Sequence, residues 1–110
     1  MDRIDGAQVT GLRQEFVADV LVDDVRLGRL TVAPADRVTD DLGLWLTYSF
    51  RLRSGAVVVL ARAHPYMPTP GYVLTTVSAA GHEALLAEFL AEAGLGDEAV
   101  SHASFWSVEG

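Results

Sequence analysis

Along most of the chain apolar positions recur every second residue, the period of a half-buried strand, and one stretch alone switches to the helical spacing of three and four. From Phe16 to Val32 this pattern predicts a hairpin turning at Asp23-Asp24, residues that tolerate turn geometry. Counting outward pairs Val22 with Val25 and Val20 with Leu27. Leu27 and Leu30 are three apart, so a β-bulge at Gly28-Arg29 is needed to restore the phase, with glycine free to take positive φ. Ala18 then faces Leu30 and Phe16 faces Val32, and one face of the hairpin is wholly apolar.

A second hairpin is predicted from Leu44 to Arg53 and from Ala56 to His64, joined by the two-residue turn Ser54-Gly55. Pairing Arg53 with Ala56 sets Leu52 opposite Val57, Phe50 opposite Val59, Tyr48 opposite Ala61 and Leu46 opposite Ala63 as the core side. The reverse side, with Trp45, Thr47, Ser49, Arg51, Val58, Leu60, Arg62 and His64, is mixed. Between the hairpins, Pro34 to Gly43 reads as a polar connector in which Pro34 can open a helical turn. After them, the three prolines of residues 64–71 forbid ladder bonding and favour an extended loop.

Tyr72 to Val77 reads as a fifth strand. Ser78 can cap a helix whose stripe is Leu85, Leu86, Phe89, Leu90 and Ala93, closed by Gly94 in the left-handed cap position with Leu95 against Leu90. Val100 to Val108, with Phe105 and Trp106, supplies a sixth strand. The expected fold is therefore α+β: one mainly antiparallel sheet of five to six strands and one amphipathic helix, in the order β-β-β-β-β-α-β. It forms a single domain over residues 1–110, with 1–13 as a loosely ordered segment. Six strands make a sheet roughly 25 Å wide, whereas one helix covers about 10 Å. Either the sheet curls around the helix or part of its apolar face meets another chain, so a homodimer is one expectation.

Composition then narrows the function. The absence of cysteine excludes thiolate nucleophiles, disulfides and Cys-based metal sites. The N-terminal residues lack the basic and apolar regions of a secretory leader, and the longest apolar run, Ala56 to Ala61, is too short to span a bilayer. A cytoplasmic protein without membrane attachment is expected. A net charge of −7 argues against a nucleic-acid partner, since phosphate binding needs a basic patch. The distribution says more than the total. Residues 1–62 hold eight arginines against nine acids, a net −1, while residues 63–110 hold six acids and no Arg or Lys, a net −6.

Candidate chemistry is sparse. His64, His82 and His102 match no metal-ligand spacing, and Asp36, Asp40 and Asp41 lack the order of a calcium loop. No Gly-x-Ser-x-Gly elbow or phosphate loop is present, so no catalytic residue, metal or cofactor is expected. More suggestive are Glu83, Glu88 and Glu92, which lie on the outer face of the helix without a basic residue at i+4. Tyr66 and Met67, held between prolines, and Trp45 on the mixed hairpin face are candidate contact residues. Together with Asp97 and Glu98 these form the expected partner-binding set. The expectation is a small acidic protein-binding module, such as an inhibitor, an immunity-type factor or an adaptor, that docks on a basic surface. Small acidic neutralisers of toxin enzymes share this size and charge, a similarity of composition only. The rivals are a homo-oligomer using an uncovered sheet face, and a small enzyme or ligand-binding protein with a pocket between sheet and helix. The enzyme would use His64, His82 or His102 as base and Tyr48 or Tyr66 near the substrate.

Overall fold

The computed structural model describes residues 1–9, 11–22, 36–40, 43–64, 71–78 and 81–106. Among the described residues seven strands, β1 (Asp2–Ile4), β2 (Glu15–Val20), β3 (Asp36–Asp40), β4 (Gly43–Arg51), β5 (Val57–His64), β6 (Tyr72–Thr76) and β7 (Val100–Ala103), form one antiparallel sheet with one α-helix, α1 (His82–Ala93). This is the α+β architecture that the alternation predicts, with one strand more. The order across the sheet is β1-β4-β5-β6-β2-β7, and β3 shares the outer edge of β4 with β1. Two of these strands fall where none is expected, β1 in the segment read as loose and β3 at Asp36–Asp40, which the sequence suggests is connector, while the expected arm 25–32 lies outside the described residues. Pairing of Val38 with Trp45 and Thr39 with Leu44 gives these residues ladder partners despite their polarity.

The β4–β5 hairpin is correct in its strands and shifted by one residue in register. Phe50 pairs with Val58, Tyr48 with Leu60 and Thr47 with Ala61. The turn is the cause. The Leu52 amide donates to Ala56 O and the Gly55 amide to Leu52 O, so three residues close the loop, with Gly55 at φ +95. This is the type I turn with a left-handed third residue, and it competes with the two-residue turn for the same Ser-Gly pair. A one-residue slip exchanges the faces of a strand. Val58 and Leu60 therefore enter the core beside Phe50 and Leu52, whereas Val59 and Ala61 turn to the reverse side with Trp45 and Thr47.

In β2 the correction is larger. The expected second arm, the bulge at Gly28-Arg29 and the prolines of the 65–70 loop lie outside the described residues. Phe16, Ala18 and Val20 pair with Thr75, Leu74 and Tyr72 of β6, and Ala18 and Val20 pair on the other edge with Ala103 and Val100 of β7. Both edges of β2 are thus taken by distant strands, where adjacency along the chain suggested a local hairpin. Two β2 residues oppose one β6 step between Phe16 and Ala18, so a bulge sits there. It buries Val17 and Ala18 side by side and leaves Phe16 at the surface.

Helix α1 lays its predicted stripe, Leu85, Leu86, Phe89, Leu90 and Ala93, on the face made by Phe50, Leu60, Leu74, Tyr72 and Val20. Phe89, Leu60 and Leu74 are each 0% exposed, so the space between helix and sheet is filled with side chains. Gly94 takes φ +70, its amide donating to Ala91 O and that of Leu95 to Leu90 O, the expected cap. The start of the helix differs from expectation. Gly81 is the cap residue, and Ser78 instead accepts a hydrogen bond from the Val57 amide at 2.9 Å. Residues 1–13, read from the sequence as loose, carry β1 and a 3-10 turn at Gly6–Gln8. They bring Ile4 and Val9 onto Val59, a second apolar cluster on the reverse face. No helix among the described residues is long and apolar enough to cross a membrane.

Candidate functional site

Successive residues of an α-helix are rotated by about 100°. On α1 this sends Glu88 and Glu92 to one flank of the buried stripe and Glu83 and Ala87 to the other, beside the stripe's own Leu86 and Leu90. The first flank faces the β4–β5 turn. Glu88 accepts the Ser54 amide at 2.9 Å and the Ser54 hydroxyl at 2.6 Å, and Glu92 accepts the Arg53 amide at 3.0 Å. The ammonium of Met1, delivered by β1, lies 2.9 Å from Glu92. Burial alone would push the Glu92 pKa up, but the Arg53 amide, the ammonium and Glu88 outweigh it and hold the carboxyl below its ordinary value. Glu88 and Glu92 therefore belong to the fold. Their lack of a basic i+4 neighbour reflects distant partners, and the expected outward acidic set loses both.

The opposite flank of α1 borders a groove of about 350 Å³. Its floor is Leu86, Leu90 and Val100, and its far wall is Phe105 and Trp106 from the turn after β7. Glu83 and Asp97 line it as well, and both are exposed. Phe105 and Trp106 are 39% and 45% exposed, high values for such large apolar rings. The sequence places them in a sixth strand running to Val108. The strand ends at Ala103, and the Trp106 amide folds back onto Ala103 O. Two adjacent aromatics flanked by serines are the signal in the sequence, since a strand would have sent one ring to each face.

Other expected contact residues fall elsewhere. Trp45 lies on the reverse face, where with Val9, Val38, Thr47, Val59 and Ala61 it lines an open pocket of about 580 Å³ rimmed by Asp36 and Arg37. Glu98 is exposed beside the groove-lining Asp97. Tyr66 and Met67 lie outside the described residues. Of the two pockets described, the larger lies on the reverse face, away from the space between sheet and helix that the enzyme or ligand-binding rival would use.

The histidines divide. His82, the first residue of α1, has Nδ1 at 2.7 Å from the Ser104 hydroxyl and Nε2 at 3.2 Å from Glu15, joining three elements. The order of groups is that of an acyl-transfer relay, but the surroundings differ. Glu15 is more than half exposed, and the Ser104 amide is committed to Val17 O, so it cannot stabilise an oxyanion on that serine. The contacts brace the start of α1 against β2 and the C-terminal turn. His102 stacks on Phe16 at 6.0 Å and meets Trp106 edge-on at 6.1 Å. These contacts join Trp106, round the β7 edge, to rings on the face of the sheet away from α1. The His64 side chain lies outside the described residues, and among the described residues no three His, Asp or Glu side chains gather as a metal site would require. The chain matches no protein-family model, no curated protein and no solved structure.

Proposed function

We propose that this chain is a small acidic protein-binding module, of the inhibitor, immunity-type or adaptor kind, that docks the α1 groove onto a basic surface of a partner protein. The observation that carries this reading is the juxtaposition of two exposed aromatic rings with Glu83 and Asp97 around an apolar floor. It lies in the half of the chain that has six acids and no Lys or Arg. Aromatic anchors supply contact area at low entropic cost, while surrounding charge speeds encounter and selects the sign of the partner. A cytoplasmic location is part of the same proposal.

Capture experiments with wild-type protein and a Glu83→Lys/Asp97→Lys variant test the reading. A partner retained by the wild type, lost by the variant and kept by an Asp2→Lys control supports it. A partner retained equally by all three counts against it. A second reading, binding of a small ligand, is favoured by the reverse-face pocket, whose volume lies in the range of about 300–1,000 Å³ typical of ligand sites. A Trp45→Ala substitution that abolishes ligand binding while leaving partner capture intact would establish it as a separate site.

A further inference from the structure

We infer that the α1 groove is a cradle for arginine, selecting a short partner segment in which guanidinium side chains flank an apolar residue. The inference rests on the docking reading above and names the chemistry of its partner. Glu83, Leu86, Ala87 and Leu90 follow the i, i+3, i+4, i+7 row of a helix, so the groove runs along two turns of α1. Two turns rise about 10 Å, the length of about three extended residues. Leu86 and Leu90, both nearly buried, offer a shallow apolar floor that accepts one aliphatic side chain. The carboxylates are provided by different elements, Glu83 by the start of α1 and Asp97 by the 3-10 turn that follows it, and among the described residues no basic side chain lines the groove.

This set distinguishes arginine from lysine. A guanidinium is planar, lies flat on an indole or phenyl face and keeps its in-plane N–H groups for a carboxylate. An ammonium is a compact, strongly hydrated charge that gains little from the rings. Trp106 is half exposed and lines the same groove as Glu83 and Asp97, so stacking and pairing are available to one side chain together. The carboxylate that does not pair the stacked guanidinium is left for a second one.

Titration of the full chain with two capped peptides, Gly-Arg-Leu-Arg-Gly and Gly-Lys-Leu-Lys-Gly, tests this, read by NMR from the two indole N–H signals. The expected result is a shift of the Trp106 indole alone and at least ten-fold tighter binding of the arginine peptide. Trp106→Ala should bring the two affinities together, and Glu83→Gln/Asp97→Asn should weaken both peptides at least ten-fold at low salt. An unchanged Trp45 signal reports that each variant is folded. Equal affinity of the two peptides at Trp106 overturns the arginine cradle and leaves acidic docking standing. A shift confined to Trp45 moves the site to the reverse face and overturns the inference. If neither peptide binds while partner capture still depends on Glu83 and Asp97, the arginine chemistry is wrong and the docking reading survives. If capture is also independent of these acids, both fall.

Discussion

Glu88 and Glu92 on one flank of α1, and Glu83 with its neighbour across the groove, Asp97, on the other, carry the same charge in very different surroundings. The first pair ends on the amides of Ser54 and Arg53, on the Ser54 hydroxyl and on the Met1 ammonium. The second pair stands exposed beside two aromatic rings. A tally of acidic residues treats all four alike. The comparison teaches that surplus charge becomes an interaction surface only where the fold does not consume it, and that backbone N–H groups consume it as effectively as arginines do.

The comparison breaks most severely at Phe89, which underlies both flanks. Phe89→Ala removes a fully buried ring and should lower unfolding free energy by about 3–5 kcal/mol in urea titration. The groove should be lost with it. Next comes Glu92→Gln, which leaves the Arg53 amide and the ammonium without their carboxylate and should cost about 1–3 kcal/mol. This loss should depend on pH. The folded pKa of Glu92 lies below the unfolded one, so its stabilisation is complete above the ordinary glutamate range and disappears as pH falls through the folded value. Urea midpoints of wild type and Glu92→Gln should therefore converge at low pH and separate as pH rises. Glu88→Ala should cost about 1 kcal/mol, with faster hydrogen exchange concentrated at the Ser54 amide. Glu83→Gln and Asp97→Asn should change stability by no more than about 0.5 kcal/mol, because neither carboxylate is buried.

What was legible in the sequence follows the same division between near and distant partners. The stripe of α1, its Gly94 cap and the segments of β4, β5 and β6 depend on residues within a few positions of one another, and their periodicity shows them. The register of β4 and β5 was missed by one residue because Ser54-Gly55 suits both a two-residue and a three-residue turn, and Gly55 alone does not choose. The placement of β2 between β6 and β7 joins residues more than 50 positions apart, which no local pattern encodes. The site was half legible for the same reason. Glu83 and Asp97 were visible as part of an acidic half, but the loss of Glu88 and Glu92 to a turn 34 and 39 positions away was not. Phe105 and Trp106 were visible as aromatics and mistaken for strand residues, since the end of β7 at Ala103 is set by pairing with Ala18.

The most direct measurement pairs two variants with equal change in net charge, Glu88→Gln/Glu92→Gln and Glu83→Gln/Asp97→Asn, and reads urea stability and arginine-peptide binding for each. The account predicts that the first loses stability and retains the peptide, while the second keeps its unfolding midpoint and loses the peptide. If both variants lose binding equally at unchanged stability, only net charge matters, and the distinction between the two flanks of α1 is contradicted.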